Sequence, residues 1–191
     1  MKFASYFKSG GYLSESTIPT DSGEELDLTQ LPAFLRTLMV TDGTVTKSLE
    51  AWFWEPVKVE VITNALEKND STVDGLEVER GDRLLQREVV LKGAHSKKTF
   101  ACARSTVSLK HLPTEIGNSL EKGEIGIGEL LRQSGVETYR DIFNINYFKE
   151  ANVDDLSLKK LQTEVLSRSY RIRVNGHPAI IVTEFFPIDI Y

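Results

Sequence analysis

The chain has 191 residues, 40% of them hydrophobic and 27% charged, which fits one globular domain with a core of its own and excludes a disordered chain. Its formal charge of −5 comes without any lysine- or arginine-rich run, so the electrostatic footprint of a nucleic-acid binder is missing. One cysteine, Cys102, and three histidines in apparent turns, His95, His111 and His177, give no internal disulfide, no metal-ligand spacing and no basis for a histidine-centred triad.

The amino terminus carries no continuous apolar segment, and no run of about 18 apolar residues occurs anywhere. We therefore expect a cytoplasmic protein, neither exported nor inserted in a membrane. Residues 1–23, rich in Ser, Gly and Thr, read as an irregular arm ahead of a single domain over residues 24–191.

From Thr29 the spacing of Leu31, Phe34, Leu35, Leu38 and Met39 predicts a helix, with Thr29 as its cap and Pro32 in its first turn; "TDG", at residues 41–43, ends it. The stretch "TVTKSLEAWFWEP" predicts a short helix between turns. Its aromatics, Trp52, Phe53 and Trp54, are expected to pack under neighbouring structure, the other reading being an exposed patch for a partner. "VKVEVI" is a strand with Val57, Val59 and Val61 on one face. After a polar insert, "RLLQREVVLKG" and "TFACARSTVSL" form a hairpin through "AHSKK".

Between residues 112 and 135 the pattern predicts helix, glycine turn, helix, with Pro113 opening the first helix and "EKGEIGIGELL" interrupting it. In "VDDLSLKKLQTEVL" the positions of Leu156, Leu161 and Val165 predict a further helix. The chain closes with "SYRIRVNGHPAIIVTEFFP", a hairpin turning at Asn175-Gly176. Strands and helices are grouped rather than alternating, which indicates an α+β fold with an antiparallel sheet.

Two charges lie on apolar strand faces. Glu184 shares its face with Ile180, Val182 and Phe186, and Arg87 shares its face with Leu85, Val89 and Leu91. A lone buried charge is too unfavourable to leave unpaired, so two readings stand: an Arg87–Glu184 salt bridge, or two groups lining a cavity for a polar ligand. Gly123, Gly126 and Gly128 likewise read as turn punctuation or as the hinge of a flap whose backbone N–H groups bind an anion. They do not form a phosphate-binding loop, since no lysine–serine or lysine–threonine pair follows them.

The ordered set "DGTVTKSLE", "LLQREVVLKG", "IGELL" with "ETYRDI", and "RSYRIRVNGHPAIIVTEFFP" resembles the chorismate pyruvate-lyases, from about Leu31 to the end of the chain. The resemblance implies an antiparallel sheet of about six strands with peripheral helices. It also implies two helix-turn-helix flaps over a buried pocket. Arg87 would hold the ring carboxylate and Glu184 would lie at the ring hydroxyl. Backbone groups of Val45 and Ile127, one on each flap, would complete the substrate-binding set.

The implied reaction is chorismate to 4-hydroxybenzoate plus pyruvate, by a monomer feeding quinone or related aromatic biosynthesis without metal or organic cofactor. Chorismate carries a second carboxylate, for which Lys47 and Arg104 are the two cations considered. A non-catalytic binding or sensing domain is the other reading, because the same fold senses effectors in helix-turn-helix repressors. The residues ahead of Leu31 are too few and too acidic to be the DNA-binding domain of such a repressor.

Overall fold

A computed structural model describes residues 17–20, 23, 25–123, 125–148 and 164–191. Most of the arm, and the helix predicted around Leu156 and Leu161, lie outside these residues. Strands β1 (Thr17–Pro19) and β2 (Glu25–Asp27) pair with each other; helices α1 (Ala33–Val40) and α2 (Val45–Phe53) follow. Next come β3 (Val57–Lys68), β4 (Arg83–Gly93) and β5 (Thr99–Ser108), then helices α3 (Thr114–Lys122) and α4 (Ile127–Ser134), then β6 (Thr138–Phe148), β7 (Val165–Val174) and β8 (His177–Pro187).

The main sheet has six strands in the order β3-β4-β5-β8-β7-β6, every neighbouring pair antiparallel. It consists of two three-stranded meanders joined along β5 and β8. The α+β architecture with a six-stranded antiparallel sheet and peripheral helices is the one expected.

Local chemistry explains where the boundaries moved. Asp27, not Thr29, acts as a cap: its Oδ1 accepts hydrogen bonds from the Thr29 N–H at 2.9 Å and Thr29 Oγ1 at 2.7 Å. This holds residues 28–30 in a 3-10 turn, and α1 starts only after Pro32. Val165, placed in a helix by its spacing, opens strand β7 opposite Pro187. Strand β6 was not located from its residues.

The aromatics of α2 divide. Phe53 stacks on Phe100 with centroids 3.8 Å apart, but Trp52 is 51% exposed and Trp54 89% exposed, so the expected packing fails for both tryptophans. Val45 and Leu49 form the buried stripe of α2, and Phe53 extends it one turn on. Trp52 lies beside that stripe, stacked on Phe34 at 4.5 Å. Trp54 is the C-cap of the helix, with φ of 56° and its N–H donating to the Glu50 carbonyl, one residue past the last helical position.

One face of the sheet carries the helices. Its apolar ends are covered separately: Leu91, Phe186 and Leu166 lie under α1 and α2, while Leu85, Val107, Ile180 and Ile172 lie under α3 and α4. Cys102 is a buried apolar residue of the opposite face, packed with Val90 and Phe185.

Candidate active site

The register of the ladders places the charges between these two apolar clusters. One rung across the inner face reads Val89, Ala103, Glu184 and Arg168; the next reads Arg87, Ser105, Val182 and Tyr170; the third reads Leu85, Val107, Ile180 and Ile172. The first two of these rungs, apart from Arg168, floor a cavity of about 490 Å³. Its roof is two loop-to-helix junctions, Gly43 to Lys47 and Ile125 to Glu129, one from each helical pair.

Arg87 and Glu184 both line this cavity but do not pair. They sit two strands and one rung apart, about 12 Å between Cα atoms from ordinary strand spacings. Arg87 is 1% exposed, donates through Nη2 to the Ile125 carbonyl at 3.0 Å, and leaves its buried Nε without a partner. Burial pulls its pKa below the ordinary 12.5, yet a guanidinium remains charged at neutral pH. Among the described residues no carboxylate bonds to it, so the structure places an uncompensated cation in the cavity wall.

The carboxylate partner of Glu184 is instead Arg168. Arg168 Nε donates to Glu184 Oε2 at 2.7 Å, and the Tyr170 hydroxyl donates to Oε1 at 3.0 Å. Burial, together with the Glu184 charge, pushes the Tyr170 hydroxyl well above the ordinary phenol range, so it keeps its proton and acts as a donor. Arg168 is itself 1% exposed, and its Nη1 donates to the carbonyls of Leu38 and Thr41 (2.6 Å to the latter). A cation on the last carbonyls of α1 also meets the negative end of the helix dipole. Glu184 is thereby tied through one guanidinium to the first flap.

The flaps present their helix beginnings to the cavity. Thr44 caps α2 and Gly126 caps α4, and neither helix has a side chain capping its N-terminal N–H groups. The backbones of Val45 and Ile127, each the first residue of its helix, therefore face a cavity containing an unpartnered arginine, an arrangement suited to an anion. The two junctions touch: a Cβ on Gly128 would lie 3.3 Å from the Thr44 methyl. Gly123 ends α3 with φ of 74°, and the Asn64 amide of β3 donates to the Leu120 and Glu121 carbonyls at 3.3 and 2.7 Å, holding this flap to the sheet.

The cations considered for a second anionic group separate. Arg104 points to the opposite face of the sheet and pairs with Glu88 at 3.3 Å, which removes it from the site. Lys47 lines the cavity from α2. Arg140 of β6, which sequence reasoning passed over, lines it as well.

Residues 39–191 match the model of the Rv2949c-like chorismate pyruvate-lyase family. The chain belongs to that family. A chorismate pyruvate-lyase of Mycobacterium leprae is 32% identical over 162 residues, covering 84% of this chain and 77% of the relative.

Solved structures extend the fold beyond the family. PhnF of Mycobacterium smegmatis superposes with a TM-score of 0.60 at 15% identity, over 78% of this chain and 66% of that one. The ligand-binding domain of a putative GntR-family transcriptional regulator from Bordetella bronchiseptica gives 0.52 at 11% identity, over 68% and 85%. This chorismate pyruvate-lyase family member thus shares the chorismate lyase-like fold with regulator domains.

Arg168 and Tyr170 escaped the sequence reading although the signal was present. In "RSYRIRV" they alternate with Ile172 and Val174 on the inner face, the same pattern of a charge on an apolar face that singled out Arg87.

Proposed function

We propose that the chain is a chorismate pyruvate-lyase that releases 4-hydroxybenzoate and pyruvate. The observation that carries this reading is the buried, carboxylate-free Arg87 facing Glu184 across a roofed cavity. In the reading, Arg87 binds the ring carboxylate, helped by the backbone N–H groups of Val45 and Ile127. Glu184 receives the C4 hydroxyl of the ring.

The reaction breaks the bond from C3 to the enolpyruvyl oxygen. The hydrogen on C4 leaves as a proton, its electron pair enters the aromatic ring, and the departing enolate takes up a proton to become pyruvate. The reaction is redox-neutral and strongly driven by aromatisation, so its demands are positioning and exclusion of water. Both Glu184 oxygens already accept hydrogen bonds, which supports a role in orienting the hydroxyl while the proton passes to the leaving enolate.

A sensing or carrier function is the second reading, favoured by the fold shared with a regulator's ligand-binding domain. Incubation with chorismate, with 4-hydroxybenzoate and pyruvate quantified together, separates the two. Equimolar products that vanish in Arg87→Ala support the lyase. Binding of 4-hydroxybenzoate without any turnover of chorismate overturns it in favour of the sensor.

A further inference from the structure

We propose that Arg140 is the second anion-binding residue of the cavity and grips the enolpyruvyl carboxylate of the substrate. The inference rests on the lyase reading and adds a residue that distinguishes substrate from product. Arg140 stands opposite Ile172 on β7, hence on the inner face, at the sheet edge remote from Arg87. Three strands lie between β4 and β6, about 19 Å at ordinary spacing, and both arginines line the same cavity.

Arg140 Nη1 donates to the Asp42 carbonyl at 3.0 Å, just ahead of the first flap junction, while its buried Nε has no partner. A buried guanidinium N–H without an acceptor is unfavourable, and a carboxylate entering the cavity supplies one in the geometry that arginine recognises. Lys47 is the weaker candidate, being exposed and acting on Glu129 of the facing flap.

The chemistry makes the two arginines unequal. The ring carboxylate at Arg87 is present in chorismate and in 4-hydroxybenzoate, whereas the enolpyruvyl carboxylate leaves with pyruvate. Arg140 therefore contributes to binding of chorismate and not to binding of 4-hydroxybenzoate.

The test compares wild type, Arg140→Gln and Arg140→Lys for chorismate KM and for the Kd of 4-hydroxybenzoate. Loss of a charge-assisted contact is expected to raise the chorismate KM about 10- to 100-fold in Arg140→Gln, with the product Kd within about twofold of wild type. Arg140→Lys, which keeps the charge but not the planar fork, is expected to fall between. An unchanged KM, or equal weakening of both ligands as a mere flap tether would give, overturns the assignment. Should Arg140→Gln not fold, the same split in Arg140→Lys decides. A wild type that neither turns over nor binds chorismate overturns the lyase reading and this assignment with it, whereas an active wild type with an unchanged variant overturns the assignment alone.

Discussion

Replacing Arg87 by methionine is expected to stabilise the ligand-free protein while destroying its ability to bind an anion. Arg87 is 1% exposed, its Nε is unpartnered, and its described bond is to one carbonyl, that of Ile125. The effective penalty for burying an ion is several kcal/mol even after relaxation, and one charge-assisted hydrogen bond returns about 1.5–3 kcal/mol. Methionine fills much of the same volume among Leu85, Val89 and Leu91 without a charge. The balance favours the variant by about 1–3 kcal/mol, which for a chain of this size raises Tm by roughly 2–12 °C. Thermal unfolding with and without 4-hydroxybenzoate measures both halves: the wild type should gain stability from the ligand and Arg87→Met should not. A variant less stable than wild type by more than about 1 kcal/mol would refute the reasoning, since Arg87 would then be a structural residue rather than one held in readiness for a ligand.

Glu184→Gln removes the counter-charge of a fully buried Arg168 and is expected to cost about 3 kcal/mol in urea unfolding as well as most of the turnover. Unchanged stability would mean that the Leu38 and Thr41 carbonyls satisfy Arg168 by themselves. Burial raises the pKa of the Tyr170 and Tyr191 hydroxyls from 10.0. Their neutral forms therefore support the fold below about pH 10, and that support is lost as pH rises further. The urea midpoint should fall between about pH 9 and pH 11, and less so in a Tyr170→Phe/Tyr191→Phe double variant; equal falls would refute the assignment. Valine at Gly128 would press on Thr44, whose methyl lies 3.3 Å from the site of an added Cβ, and part the two flap junctions. Turnover should drop about 100-fold, as for a displacement near 1 Å, with far-ultraviolet circular dichroism unchanged; full activity would show that the junctions need not meet.

How legible the site was depended on whether strand periodicity survived. In β4 and β8 the alternation runs through the candidate positions, so Arg87 and Glu184 stand out as charges among Leu85, Val89, Val182 and Phe186. In β6 a bulge between Ile142 and Asn144 shifts the register, so that Ile142 faces Tyr170 while Ile145, not Asn144, faces Arg168. A bulge inserts one residue and inverts the pattern beyond it, which hid the strand and with it Arg140. Pairing was not legible either. Glu184 could be recognised as needing a cation, but the choice of Arg168 over Arg87 follows from strand order, which puts β7 and not β4 beside β8. The exposed tryptophans failed for a different reason: the general burial of aromatics says nothing about a ring at the end of a helix whose apolar stripe is already complete.

Arg87, Arg140 and Arg168 each hold backbone carbonyls of the segments that lead into or form the roof: Arg87 that of Ile125, Arg140 that of Asp42, and Arg168 those of Leu38 and Thr41. A guanidinium has five N–H donors, so it can keep its roof carbonyl and accept a carboxylate at the same time. Anion binding should then tighten the roof instead of competing with it. The consequence for turnover is asymmetric. Departure of pyruvate removes the anion proposed at Arg140, but in the proposed reading the ring carboxylate stays on Arg87 beneath the second flap, and the contact that held the substrate would retain 4-hydroxybenzoate. We expect product release to limit the rate and added 4-hydroxybenzoate to inhibit competitively. Initial rates across a range of chorismate concentrations should show a rise in KM with no change in kcat as 4-hydroxybenzoate is added. Rates indifferent to the product would mean that Arg87 does not carry the ring carboxylate.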